Sequence, residues 1–172
     1  MRLRVPILLL LTAFAASAAL AASDAPRPAV TVTFSAFAQA KIKEKFGARE
    51  AGEIRDEVVR AVGDSLLKAT LANPALGALS AEVEVTDLDP THPTREQSVE
   101  QPGLDILRSK SVGGATLKGV VHDASGKEVA SLTFKRYAPD LTTISASGDA
   151  WADARITIRM FASKLGAQLA RL

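Results

Sequence analysis

The side chains able to do chemistry in this 172-residue chain are few and scattered. There are two histidines and no cysteine. His92 lies between Pro90 and Pro93, and His122 precedes Asp123. With Asp87 and Asp89 nearby in sequence, an imidazole and carboxylate set of this kind suits zinc or iron. The enzymatic reading is therefore a small metal-dependent hydrolase using His92 and His122, although their spacing matches no metal motif. Ser111, Ser125 and Ser131 lack the strand–turn–helix glycine pattern that exposes a nucleophilic serine. Asp87, Asp89 and Asp105 supply carboxylates, but no second element is evident to set a pair across a cleft. Val112-Gly113-Gly114-Ala115 opens a strand and not a helix, so it lacks the helix terminus that cradles phosphate. Trp151 heads an apolar helical stripe, which makes it core and not a stacking platform. No catalytic, cofactor-binding or metal-binding residue is assigned, and no cofactor is expected.

The elements that would position these residues are easier to read. Ser111 to Tyr137 holds two β-rich runs around Asp123-Ala124-Ser125-Gly126, the pattern of an antiparallel hairpin. Alternation puts Ala115, Leu117, Gly119 and Val121 on one face, with Ala130, Leu132 and Phe134 matching them. Ala29 to Phe34 and Ser80 to Leu88 also alternate as strands. Between them, Ile54, Val58, Ala61, Val62, Leu66 and Ala69 form the stripe of an amphipathic helix over Arg49 to Leu71, ended by Asn73-Pro74. Gly63 within it suggests a close packing neighbour. A second helix begins near Asp149, the expected N-cap, and runs to the C-terminus with its stripe from Trp151 to Leu172.

Two stretches resist assignment. Ser35 to Gly47 fits neither period, and its Lys41, Lys43 and Lys45 read as a solvated face in preference to an anion-binding patch. Asp89 to Gly103 contains three prolines and few apolar residues, so no regular element is expected there and the segment reads as mobile. Leu104, Ile106 and Leu107 suggest a turn of helix after it.

The order strand, helix, strand, hairpin, helix predicts an α+β fold: a two-layer sandwich in which two helices cover one face of a mainly antiparallel sheet of about four strands. Composition fits one domain. Hydrophobic residues make up 47% of the chain, and the formal charge is +2. The leader inflates both values. Arg2 and Arg4 precede an apolar run from Val5 to Ala16, and Ala19-Leu20-Ala21 is a small-x-small cleavage site. Residues 1–21 therefore read as a signal peptide and residues 22–172 as a single exported domain. The apolar run is too short for an anchor, so no transmembrane segment is expected after cleavage. Without the two leader arginines, Lys+Arg falls from 21 to 19 against 19 Asp+Glu. That balance argues against nucleic acid as a partner.

Thr86-Asp87-Leu88-Asp89-Pro90, Val112-Gly113-Gly114-Ala115, Asp123 to Val129 and Trp151-Ala152-Asp153-Ala154, with Phe161-Ala162 downstream, resemble a group of bacterial envelope proteins classed as domains of unknown function. Many members are outer-membrane lipoproteins, and the resemblance covers most of the mature chain. It implies no catalytic residues. This chain departs from the lipoprotein pattern in having no cysteine after the leader. The element order is also similar to small envelope-assembly lipoproteins that plug or brace a membrane machine.

The expectation from sequence is a periplasmic, non-catalytic binding or accessory protein of the cell envelope, with a small-molecule or lipid binder as a further alternative, its ligand seated between the long loop and the sheet. If both helices cover the Leu117 face, the opposite face is left for a partner. Thr116, Lys118, Val120, Val129, Ser131, Thr133 and Tyr137 are the residues expected to meet another envelope protein or a second copy of this chain, because β-branched and aromatic side chains lose little entropy on contact.

Overall fold

A computed structural model of the protein describes residues 27–106 and 108–172. The proposed leader and Leu107 lie outside the described residues. Strand β1 spans Ala29–Phe34, β2 Ser80–Asp89, β3 Gly114–His122 and β4 Glu128–Tyr137. They form one sheet in the order β1-β2-β3-β4. The β1–β2 pair is parallel and the other two pairs are antiparallel, so the sheet is mixed. The parallel pair follows from the connection: the long helix α2, Ala48–Ala72, separates β1 from β2 and gives the chain room to cross over. Helix α4, Ala152–Leu169, packs beside α2 and covers β3 and β4. The fold is an α+β two-layer sandwich with the expected order of its six large elements.

Both amphipathic stripes turn toward the same sheet face. Ile54, Val58, Val62 and Leu66 of α2, and Ile158, Phe161, Leu165 and Leu169 of α4, are buried against Val83, Leu88, Leu117 and Val121. Gly119 lets α4 sit this low, because a Cβ there would come within 2.6 Å of the Phe161 ring. The close helix–helix approach is at Gly166, where a Cβ would meet Ser65 Oγ at 2.3 Å. Ser65 Oγ donates to the Ala162 carbonyl at 2.7 Å across that contact. Gly63 does not have the close neighbour expected of it; its nearest atom, Val30 Cγ2, is at an ordinary 3.9 Å. Phe134 faces the core side as expected but is only partly buried, because β4 is the last strand of the sheet.

Two stretches are more ordered than their sequence suggests. Ser35 caps a short helix α1, Ala36–Lys41, its side chain accepting from Ala38 N. A π-helical turn over Ile42–Phe46 continues it and buries Ile42 and Phe46 in the core. The long connection after β2 contains helix α3, Arg95–Glu100, closed by a reciprocal capping box between Thr94 and Gln97. Its first residues are not loose. Thr91, His92 and Thr94 are buried, and Thr91 N donates to the Ala150 carbonyl at 2.6 Å. The expectation of a mobile stretch lacking regular structure is thus corrected for residues 90–100: buried hydrogen bonds anchor its start, and the capping box supplies the helix.

Helix α4 begins two residues later than expected. Trp151 occupies the N-cap position, and Asp149 instead accepts from Trp151 N at 3.1 Å. The Trp151 ring is fully buried, stands edge-on to Phe46 with ring centres 5.4 Å apart, and donates through Nε1 to Glu50 of α2. Glu57, also buried, pairs with Arg60 of its own helix and with Arg155 and Arg159 of α4, at 3.3 and 3.5 Å for the latter two. These contacts tie the helices together on the side away from the sheet's open face.

Candidate functional site

The helices leave the other face of the sheet uncovered. Cross-strand register places Thr116 opposite Lys135, Lys118 opposite Thr133 and Val120 opposite Ser131. In β2 the same face continues through Glu82 and Glu84, opposite Val120 and Lys118. Thr31 and Thr33 of β1 extend it. Thr31, Thr33, Glu82, Glu84, Lys118 and Val120 line a shallow depression of about 360 Å³. Six of the seven residues expected on this face are on it.

Val129 is the exception. The β3–β4 register slips between Val121–Ala130 and His122–Glu128, leaving Val129 as a bulged residue, and it packs against the core cluster. One extra residue in a strand reverses the face of every residue beyond it, which strict alternation does not anticipate.

A second bulge builds the most structured part of the face. The β2–β3 register skips Thr86, between Val85 and Asp87. Leu88 therefore points into the core at 0% exposure, while Asp87 and Asp89 turn to the open side. Lys41 reaches over from the end of α1 and bridges them, its Nζ 2.8 Å from Asp87 Oδ1 and 2.7 Å from Asp89 Oδ1. Tyr137 of β4 donates through its hydroxyl to Asp87 Oδ2 at 2.8 Å. The Leu88 amide donates to Asp87 Oδ1 at 2.9 Å. One carboxylate thus joins α1, β2 and β4. Lys41 is not the solvated residue its lysine-rich neighbourhood suggests; its side chain is only 14% exposed.

Protonation follows from these contacts. Burial acts to raise the Asp87 pKa, but the hydrogen bonds from Lys41 and Tyr137 outweigh it and hold the carboxyl below its ordinary range. Burial likewise acts to lower Lys41, and its bonds to Asp87 and Asp89 outweigh that and hold it above the usual lysine value. Burial, with Asp87 beside it, pushes the Tyr137 phenol well above its ordinary value. At neutral pH the lysine stays charged and the tyrosine stays protonated. Neither is poised as a base or nucleophile, and the arrangement acts as a clamp.

The clamp has a pH signature. A depressed carboxyl contributes stability that is present above the ordinary carboxylate pKa and lost as pH falls through its folded value. A raised lysine contributes stability that is present below the ordinary lysine pKa and lost as pH rises through its folded value. Asp87→Asn removes the titrating carboxylate. Its melting temperature should therefore fall less steeply than that of the unaltered protein as pH drops from 6 toward 3. An identical acid slope in both proteins would show that the clamp contributes nothing.

The histidines do not meet. Asp89 pairs with Gly114 and Ser80 with His122, so His122 lies at the end of the sheet opposite His92, which follows Asp89. The nine residues of β3 span roughly 26 Å at about 3.3 Å per residue. His92 and His122 cannot share one metal ion, which removes the hydrolase built on that pair. His92 is buried, with Nδ1 3.1 Å from the Ser109 carbonyl. Among the described residues, no group of three or more histidine, aspartate or glutamate side chains is placed to hold a metal ion. No helix among them is long and apolar enough to cross a membrane.

A gap does exist between the long loop and the sheet. It has a volume of about 320 Å³ and is lined by Phe46, Asp89, Gln97, Gln101, Lys110 and Ser111, among others. Compared with known proteins, the chain matches no family model and no curated protein sequence.

Proposed function

We propose that the protein is a non-catalytic binding or accessory module of the bacterial cell envelope. It is exported to the periplasm by its leader and docks another envelope protein on its uncovered sheet face. The observation that carries this reading is the asymmetry of the sheet: both long helices pack on one side, leaving Thr116, Lys118, Val120, Ser131, Thr133 and Tyr137 on the other. A clamp of Lys41, Asp87, Asp89 and Tyr137 braces that open side at one end. Rigid, β-branched contact area has little entropy to lose on binding. Its chemistry suits recognition: β2 contributes acidic Glu82 and Glu84, the latter opposite basic Lys118 of β3, and β4 contributes basic Lys135 opposite Thr116. Charge patterns of this kind set partner choice and orientation more than affinity. The resemblance to envelope proteins supports the compartment.

The Val120→Lys variant should lose its partner in the cell while melting nearly as the unaltered protein does, because the side chain lies outside the core and the new lysine stands opposite Glu82. Retention of the same crosslinked partner would remove this face from consideration. The gap beneath the long loop favours a second reading, binding of a small polar molecule, because Gln97, Gln101, Lys110 and Asp89 converge on it.

A further inference from the structure

We infer that β4 pairs edge to edge with β4 of a second copy of this chain, joining two sheets into one of eight strands. The inference is independent of the docking-face reading, since it uses the sheet's edge and not its open surface. β4 is the last strand of the sheet, and among the described residues no strand pairs with its outer side. It is ten residues long, contains no proline, and keeps unbroken register with β3 from Ala130 to Tyr137. Its middle, Ala130-Ser131-Leu132-Thr133-Phe134, carries no charge. Monomeric proteins shorten, charge or kink such edges, because unpaired backbone groups recruit strands. The opposite edge is treated in that way: β1 has six residues, follows Pro28, and gives way at once to α1.

The same edge leaves apolar surface uncovered. Leu132 and Phe134 are only partly buried. Above them runs the outer flank of α4, where Met160 is 39% exposed and Ile156, one turn earlier, is partly exposed. Lys164, one turn later on that flank, lies over the Phe134 ring with Nζ 5.4 Å from its centre. An added strand would cover Leu132 and Phe134, and a second α4 arriving with it would cover Met160.

Charge order selects a second copy running antiparallel. β4 begins with Glu128 and ends with Lys135 and Arg136 before Tyr137. An antiparallel copy sets each Glu128 toward the basic end of the other strand, whereas a parallel one sets Lys135 beside Lys135. A two-fold axis through Thr133 keeps both sets of helices on one side of the joined sheet. It places Leu132 of each copy opposite Phe134 of the other, and such an interface is self-complementary.

The test is the mass of the purified protein by light scattering across a concentration series, with three variants. The unaltered protein should show twice the mass of one chain. Thr133→Lys should shift it to the mass of one chain with an unchanged circular dichroism spectrum. Thr133→Cys, a conservative change, should form a covalent dimer on mild oxidation, and since the chain has no cysteine the bond can come only from that position. Val120→Glu should leave the mass unchanged. A single-chain mass at every concentration overturns the proposal. So does a dimer that resists Thr133→Lys, fails to crosslink through Thr133→Cys, or is split by Val120→Glu.

Discussion

Trp151→Ala should destabilise the protein by about 3–5 kcal/mol, the range for emptying a fully buried aromatic site. The ring is fully buried where the start of α4 meets α2 and the π-helical turn. Its removal does more than open a cavity. Phe46 loses its edge-on partner. Glu50 loses the indole donor that offsets its burial. Burial already pushes the Glu50 carboxyl above its usual pKa, and without the indole it should rise further. The cost should therefore be larger at pH 8 than at pH 5: a carboxyl with a raised folded pKa contributes stability below its unfolded value and loses it as pH rises through the folded one. Urea unfolding at the two pH values measures both effects. A loss below about 1 kcal/mol, well short of the range for such sites, would mean that this junction is not the keystone of the core.

Asp153→Ala is the second large effect, expected at about 3 kcal/mol, the lower end for removing one partner of a buried charged contact. Asp153 is 1% exposed in the first turn of α4. Its Oδ2 accepts from Thr91 Oγ1 at 3.0 Å and from the Ser145 amide at 3.1 Å, and its Oδ1 lies 3.8 Å from Arg136 Nη1. One carboxylate thus holds the start of the long connection, the loop before α4, and β4. Arg136 keeps 29% of its side chain exposed and can rehydrate, which is why the lower end applies. Loss of the tether should also speed proteolysis within residues 90–112. Asp153→Asn keeps an acceptor and should recover part of the loss. Equal stability of Asp153→Ala and the unaltered protein would show that the loop is held by other means.

These two residues mark the border of what sequence pattern reveals. The stripe from Trp151 to Leu169 identifies a helix and its buried side without any knowledge of what it packs on. The alternation in β3 and β4 does the same for the sheet. Both are local periodicities, and local periodicity is what burial imposes on a chain. Asp153 is also visible as a first-turn acid, but its partners lie 62 residues upstream at Thr91 and on β4 at Arg136, where no spacing rule reaches. Lys41 is the same case: its neighbours in sequence are lysines, while its partners are aspartates on β2. The bulge that delivers those aspartates does leave a trace. Ala81, Val83 and Val85 alternate, and the next apolar residue is Leu88, three positions on instead of two; that step marks an inserted residue. The helix α3 is legible as well, in Thr94-Arg95-Glu96-Gln97, because a capping box needs four residues and fits between prolines.

Phe134 shows why periodicity gives a face but not a depth. Its side is correct, yet a residue on the last strand has a neighbour on one flank only, and burial there depends on what pairs with the edge. The open face poses the same question on a larger scale. Its residues are identified by alternation once the two bulges are allowed for, whereas its occupant depends on chemistry outside the chain.

Docking on the open face is tested most directly by photo-crosslinking in intact cells from a reactive amino acid placed at Val120, with the same group at Lys68 on α2 for comparison. The expected result is one envelope protein, identified by mass spectrometry, crosslinked from Val120, absent from Lys68 and lost when Lys118→Glu is added. No adduct from Val120, or the same adducts from both positions, would contradict docking on this face.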